Sequence, residues 1–147
     1  MRTTTLSIAS DHGGFEQKQQ LVAWLEEQGC TVYDRGCDSD ASVDYPDYAV
    51  LVCKDVVAGT AELGILVCGT GIGMSIAANK VDGIRAANVT QPSFAELCRQ
   101  HNNANIITLS GRFVDLETNK EILENYIDTP FEGGRHERRV AKIMELQ

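Results

Sequence analysis

Long apolar runs are missing from this sequence. No segment approaches the roughly 18 consecutive apolar residues that a helix needs to span a bilayer. The first residues, Met1 to Ile8, carry no long apolar stretch and no small-residue cleavage pattern, so we expect no secretory signal. Proline is scarce, with 3 residues, and 43% of the chain is hydrophobic and 23% charged. These values exclude a collagen-like or disordered chain and indicate an ordinary globular protein.

Paired cysteines are also missing. The five cysteines, Cys30, Cys37, Cys53, Cys68 and Cys98, are odd in number and contain no Cys-x-x-Cys pair. This spacing argues against a disulfide framework or a zinc site, and it predicts a reducing, cytoplasmic location.

Basic residues are in the minority. The 13 lysines and arginines stand against 21 acidic residues, which gives a net charge of −8. An acidic surface repels nucleic-acid phosphates and anionic lipids, so we expect neither a nucleic acid nor a membrane as partner.

The length of 147 residues is that of one typical domain, so we expect a single domain over residues 1–147. Short β-rich runs alternate with helical patterns, which predicts a five-stranded parallel sheet in a three-layer α/β/α, Rossmann-like fold. The predicted strands are 4–9, 31–34, 63–68, 84–89 and 104–109. The predicted helices are 15–28, 48–57, 71–80, 93–100 and 116–126, with an extra C-terminal helix at about 135–146. Ligands of such sheets bind beyond the carboxyl ends of the strands.

Two of these strand ends carry polar residues next to glycines. The first is followed by Asp11-His12-Gly13-Gly14, where Asp11 either contacts a ligand or caps the next helix. The third leads into Gly69-Thr70-Gly71-Ile72-Gly73, whose backbone N–H groups are expected to form an anion cradle. A dinucleotide site is rejected, because Met74 stands where that fingerprint needs Gly or Ala.

Cys68 ends the third predicted strand at the mouth of the cradle. There, helix N–H groups would favour its thiolate, whereas a buried structural role is the commoner one for a lone cysteine. Cys30, Cys53 and Cys98 are interpreted as structural, and the role of Cys37 is left open.

Further along the chain, three groups of residues are candidates for contacting a ligand. His101, followed by Asn102, is either a cation at a helix C-terminus or a residue that enters the same crevice as Cys68, and we expect the second. Arg112 follows the fifth predicted strand. Arg135 and Arg139 share one helix face after a Gly133-Gly134 hinge, where paired guanidinium groups suit a phosphate.

With these motifs, the chain resembles the type B ribose-5-phosphate isomerases, a family that includes the subunits of galactose-6-phosphate isomerase. The resemblance covers almost the whole length. It rests on Asp11-His12-Gly13-Gly14, Asp44-Tyr45-Pro46, Cys68-Gly69-Thr70-Gly71-Ile72-Gly73, Ala77-Ala78-Asn79-Lys80, Gly83-Ile84-Arg85-Ala86, Arg99-Gln100-His101-Asn102 with Arg112, and Gly133-Gly134-Arg135-His136 with Arg139. Met74 stands at the position of the glutamate base of one subgroup, so the chain resembles the cysteine subgroup.

The resemblance implies an aldose–ketose isomerase that uses a cis-enediolate and neither metal nor cofactor. Cys68 would move the proton between C1 and C2, Thr70 would hydrogen-bond the reacting oxygens, and His101 would open the furanose ring. The remaining site residues would bind the phosphorylated sugar, and they are Asp11, His12, Tyr45, Gly69, Gly71, Ile72, Gly73, Asn102, Arg112, Arg135 and Arg139. The last two arginines would come from a neighbouring subunit, which implies a homodimer or a tetramer of such dimers.

The sequence leaves the sugar open. Ribose 5-phosphate is the expected substrate, and a hexose or tetrose phosphate such as galactose 6-phosphate or allose 6-phosphate is the alternative. A non-catalytic sugar-phosphate binding subunit and a flavodoxin-like interaction module are the competing classes. The presence of both Cys68 and His101 favours catalysis over either of them.

Overall fold

The computed structural model describes residues 1–147, and its five strands form one parallel sheet. They are β1 (Thr5–Ser10), β2 (Thr31–Asp34), β3 (Leu63–Cys68), β4 (Ala86–Asn88) and β5 (Ile106–Ser110). Their order across the sheet is β2-β1-β3-β5-β4, and every neighbouring pair is parallel. The predicted five-stranded, three-layer α/β/α architecture is confirmed.

Six helices accompany the sheet: α1 (Phe15–Glu27), α2 (Tyr45–Ala58), α3 (Ile72–Ala78), α4 (Pro92–Asn102), α5 (Leu116–Asp128) and α6 (Arg135–Met144). One core cluster lies between the sheet and α1, α4 and α5, and a second lies between the sheet and α2 and α3. The C-terminal α6 is the extra helix, and it packs on α4. None of the helices has both the length and the apolar character that crossing a membrane demands.

The central strand β3 shows why the chain folds in three layers. All six of its residues are buried, and its alternating side chains face different clusters, Ile65 one and Leu66 the other. Each fully buried aliphatic side chain of this kind contributes about 1.5–3 kcal/mol to stability. A strand buried on both faces must be apolar throughout, which is why its bounds were predicted correctly from sequence.

Several other boundaries differ from those predicted. Helix α2 begins at Tyr45 rather than Tyr48, with Pro46 in its first turn, where proline's missing N–H costs nothing. Helix α3 begins only after Gly71, because that glycine has a left-handed φ of 82° and cannot continue a right-handed helix. Strand β4 is shortened to three residues at the sheet edge.

The carboxyl ends of the three central strands lie level with one another. Ser10 of β1 pairs with Val67 of β3, and Cys68 pairs with Ser110 of β5. The chain moves from β1 outward to β2 and then returns to the other side of β1 as β3. This reversal between β1 and β3 is the point at which open parallel sheets bind their ligands.

Candidate active site

Three glycine-containing loops meet above the level strand ends. A Cβ atom added to Gly13 would lie 3.2 Å from Gly69 N, and one added to Gly111 would lie 3.0 Å from Gly13 O. The loop after β5 bonds to the loop after β3 through Gly111 N–H to Cys68 O at 2.8 Å and Arg112 N–H to Gly69 O at 3.2 Å. The three loops that form the floor of the site therefore contact one another through their backbones.

Cys68 stands at the centre of this floor. Only 5% of its surface is exposed, and its Sγ accepts a hydrogen bond from Gly71 N–H at 3.1 Å. A backbone N–H that points at the sulfur stabilises negative charge there, as a thiolate base requires. The structure thus places the thiol in the predicted position beside the cradle.

The cradle after Cys68 presents free donors. The N–H groups of Gly69, Thr70 and Gly73 have no hydrogen-bond acceptor within the chain. Thr70 Oγ1 accepts from Ile72 N–H at 3.1 Å, which leaves the exposed hydroxyl hydrogen of Thr70 available to donate. Amide and hydroxyl donors gathered beside a thiol match the demands of a developing oxyanion.

Asp11 and His12 line the same floor from the β1 side. Asp11 is buried, and its Oδ1 accepts from Gly14 N–H at 3.1 Å, while its Oδ2 makes no bond. Gly14 is itself the N-cap of α1, and no side chain caps that helix, so Asp11 closes the turn before α1 and is not its cap. His12 Nδ1 accepts from Val43 N–H at 3.2 Å, which leaves Nε2 as its donor.

Tyr45 lies across the cradle, because its ring packs on Gly73, where an added Cβ would come within 2.8 Å of Tyr45 Cε1.

Arg112 forms one wall of the site. Its guanidinium Nη2 lies 3.3 Å from the position of a Cβ on Gly13, its Nη1 lies 3.4 Å from that of a Cβ on Gly69, and it forms no ion pair with a carboxylate. A cavity of about 580 Å³ opens beside it, lined by His12, Gly13, Phe15, Glu16, Gln19, Gln20, Asp40 and Arg112. This volume suits a small-molecule ligand.

His101 and Asn102 lie elsewhere, which contradicts the expectation that they enter the crevice of Cys68 in the same chain. Helix α4 runs back against the strands, so its last turn lies at the amino edge of the sheet. There Arg85, just before β4, donates to Asn103 O at 2.8 Å. The length of β5, about 13 Å, separates this edge from Ser110, the partner of Cys68.

His101 belongs instead to a cluster with Glu132 and His136. The rings of His101 and His136 stack with centroids 4.4 Å apart and planes 14° apart, and His136 Nε2 lies 3.4 Å from Glu132 Oε2. Their ligand atoms all lie within 4.8 Å of one another. An imidazole nitrogen, however, binds a metal ion in the plane of its ring. Because the rings of His101 and His136 are stacked, their nitrogen lone pairs point in parallel planes and do not converge on one point. One ring would have to turn before this cluster could hold a metal.

Arg135 and Arg139 are in the same region, on α6. Both are exposed, and neither forms an ion pair with a carboxylate. Because His136 of α6 stacks on His101 of α4, the two arginines lie with His101 and not with Cys68. The predicted site residues thus fall into two groups: the Cys68 group at the carboxyl ends of the strands, and the His101 group around α4 and α6.

The three cysteines interpreted as structural, Cys30, Cys53 and Cys98, are all buried. Burial raises the pKa of Cys53 and that of Cys98 to about 11, so both remain thiols at neutral pH. Cys37, whose role was left open, is buried and donates to Ser39 O at 3.2 Å. It steadies the loop after β2, which pairs with Ser10 next to Asp11.

Sequence reasoning missed four polar residues that support these groups. Gln17 and Asn119 bond to the loop that carries Arg112, and the buried Lys18 binds Asp34 at 2.7 Å. His136 is the fourth, because sequence analysis assigned it no role beyond its place in the Gly133-Gly134-Arg135-His136 motif. For Asn119 a signal was present, since it interrupts the apolar stripe of α5 between Leu116 and Ile122.

A thiol beside free amide donors, at the reversal point of a parallel sheet, can move a proton while the amides stabilise an oxyanion. Residues 6–143 match the ribose/galactose isomerase family, and the chain belongs to that family. The resemblance seen in the sequence is therefore confirmed.

Individual relatives are similar over nearly their full length. Ribose-5-phosphate isomerase B of Escherichia coli is 44% identical, over 97% of this chain and 95% of its own. The crystal structure of a ribose 5-phosphate isomerase from Thermotoga maritima has a TM-score of 0.95 and 50% identity, and the match covers 97% of this chain and 98% of that one. The enzyme of Mycoplasma genitalium, solved with bound ribulose 5-phosphate, has a TM-score of 0.93 and 44% identity over 99% of this chain and 97% of that one.

Proposed function

We propose that this protein interconverts ribose 5-phosphate and ribulose 5-phosphate, with Cys68 as the base. The observation that carries the proposal is the Cys68 sulfur, which accepts the Gly71 N–H at 3.1 Å beside the free amides of Gly69, Thr70 and Gly73. It is supported by the similarity to a relative solved with bound ribulose 5-phosphate.

The chemistry follows from this geometry. The Cys68 thiolate removes the proton from C2 of the open-chain aldose, and the electron pair moves through C1 to the carbonyl oxygen to give a cis-enediolate. The cradle amides and the Thr70 hydroxyl stabilise this oxyanion, without which a carbon acid is too weak to ionise. The thiol then returns the proton to C1, and the O2 hydroxyl proton passes to O1, which leaves a ketone at C2 and a hydroxyl at C1.

The same proposal assigns the residues around the reacting carbons. Asp11 Oδ2 and the Nε2 donor of His12 hold sugar hydroxyls at the β1 side, and Tyr45 covers the cradle from α2. Arg112 binds the phosphate at the far end of the sugar. Arginine suits this role because its guanidinium forms paired hydrogen bonds with phosphate oxygens.

The site is completed by a second copy of the chain. Arg135, Arg139, His101 and Asn102 cannot reach Cys68 of their own chain, yet free arginines and an imidazole are what the phosphate and the ring oxygen still need. Large apolar side chains are exposed on α3, in the first turn of α4 and next to Arg112, namely Ile76 at 64%, Phe94 at 50% and Phe113 at 78%, as expected of a surface covered by a partner. We therefore propose a homodimer with shared sites, and the five free cysteines support a location in the reducing cytoplasm.

A substrate panel tests the activity. The purified protein is assayed for aldose–ketose conversion with ribose 5-phosphate, allose 6-phosphate, galactose 6-phosphate and erythrose 4-phosphate, and kcat/KM should be highest for ribose 5-phosphate. A hexose phosphate with the highest value would assign the alternative substrate instead. No conversion of any sugar, together with tight sugar-phosphate binding, would establish the non-catalytic binding subunit.

A second prediction concerns ring opening. Replacing His101 with asparagine should lower kcat by on the order of 10²-fold from ribose 5-phosphate, which is mostly a furanose, but by less than about tenfold from ribulose 5-phosphate, which cannot close a ring. The comparison is made in kcat, because the equilibrium constant ties kcat/KM in the two directions together. Equal losses of kcat in both directions would instead place His101 in the isomerisation step or in binding.

A further inference from the structure

The loop that carries Arg112 is held from below by one side chain of α1. Gln17 Nε2 donates to Gly111 O at 3.0 Å and to Val114 O at 2.7 Å, so a single amide group clamps both ends of the segment around Arg112. On the site side, the same loop is held by Gly111 N–H to Cys68 O at 2.8 Å and by Arg112 N–H to Gly69 O at 3.2 Å.

Gln17 is itself held by a buried residue of α5. Asn119 is fully buried, and its Nδ2 donates to Gln17 Oε1 at 2.8 Å and to Ser110 O at 3.0 Å. The oxygen of this amide, Asn119 Oδ1, is buried without any hydrogen-bond partner. Such an atom is costly in a protein interior and calls for an explanation.

We propose that Gln17 and Asn119 are positioning residues that fix Arg112 for substrate phosphate, an inference that rests on the phosphate-binding role of Arg112 in the proposed function. The Arg112 side chain packs against Gly13 and Gly69 but forms no ion pair that would fix its guanidinium. Its placement is therefore set by the backbone of its loop. An unsatisfied Asn119 oxygen within an apolar stripe is explained if the residue serves this placement rather than the stability of the core.

Two variants test the network. Asn119→Leu keeps the side-chain size and removes both donors, and Gln17→Met keeps the length and removes the clamp. Each should raise KM for ribose 5-phosphate and the dissociation constant of inorganic phosphate by about 3- to 10-fold, with kcat within about twofold of wild type. Thermal unfolding should change little for Asn119→Leu, because the loss of the unpartnered oxygen offsets the bonds that are lost. Gln17→Met carries the test by itself if the buried substitution prevents folding.

Asn125→Leu is the matched control. Asn125 lies on the same helix, is half-buried, and donates to Pro92 O at 3.0 Å, away from the Arg112 loop. Losing this bond should lower thermal stability and leave KM and phosphate binding unchanged. If the control variant weakens phosphate binding as much as Asn119→Leu does, the effect is a general one of helix α5 and the proposal fails.

A double-mutant cycle decides whether the network acts through Arg112. In the Arg112→Ala background, Asn119→Leu and Gln17→Met should produce no further loss of inorganic phosphate binding, since the group they position is gone. The same loss in both backgrounds would overturn the proposal. Because calorimetry with inorganic phosphate needs no turnover, the cycle gives its answer even if no sugar is isomerised, so failure of the proposed function and failure of this inference are distinguishable.

Discussion

Cys68→Ser should lower kcat for ribose 5-phosphate by on the order of 10³-fold while leaving the fold intact. A serine oxygen can accept the same Gly71 N–H that the sulfur accepts at 3.1 Å, so the loop after β3 keeps its anchor. What is lost is the base, because a hydroxyl is far harder to ionise than a thiol at neutral pH. The measurement is steady-state kinetics in both directions, with KM expected to change little.

Cys98→Ser is the matched control for this prediction. Cys98 is as buried as Cys68, and its Sγ donates to Ala95 O at 3.2 Å, a bond that a serine hydroxyl keeps. Burial holds the pKa of Cys98 at about 11, so it carries no thiolate to lose. Its variant should retain full turnover. A Cys68→Ser enzyme with kcat within a few-fold of wild type would show that Cys68 is structural and that another residue is the base.

Mixing two inactive proteins should restore activity. One carries Cys68→Ser and the other Arg135→Ala with Arg139→Ala. After subunits exchange, each mixed dimer has one site with an intact thiol from one chain and intact arginines from the other. If exchange is random in an equal mixture, about a quarter of wild-type activity is expected, since half of the dimers are mixed and each has one working site.

The control for the mixing experiment distinguishes arginines that serve the site of their own chain from subunits that fail to exchange. Differently tagged chains show by co-purification whether mixed dimers have formed, and Arg138→Ala removes a neighbouring exposed arginine of α6 that should be dispensable. Mixed dimers that form and stay inactive would show that the arginines serve the site of their own chain. The shared-site proposal would then be wrong.

The parts of the fold that were predictable from sequence are those set by local pattern. The run Leu63–Cys68 gave a strand with the right bounds, because burial on both faces leaves no choice of residue type. The loop from Gly69 to Gly73 was placed correctly at the carboxyl edge of the sheet, because a glycine-rich segment that follows a buried strand continues beyond the end of that strand. The start of α2 was predicted at Tyr48 instead of Tyr45, because Pro46 is compatible with both a loop and the first turn of a helix.

The position of His101 was mispredicted because distance along the chain says little about which end of the sheet a residue occupies. A helix that connects parallel strands must return to the amino edge, so the last turn of α4 lies far from the ends that carry Cys68 and Asp11. The stacking of His101 on His136 depends on how α6 docks, which no local pattern encodes. The clamp by Gln17 and Asn119 likewise joins residues about 100 positions apart.

The backbone-on-backbone floor of the site determines where a mutational library for altered sugar preference would be placed. A Cβ on Gly14 would clash with Val67 O, and Cβ atoms on Gly13 and Gly111 would lie only 3.2 Å and 3.0 Å from backbone atoms, so randomising these three glycines would disrupt the fold rather than create new specificities. The diversity belongs on the wall of the adjoining cavity, at Glu16, Gln19 and Gln20 of α1 and at Asp40, all of which are exposed. New sugar preferences would evolve in this fold through substitutions in the cavity wall, while the glycine floor stays the same.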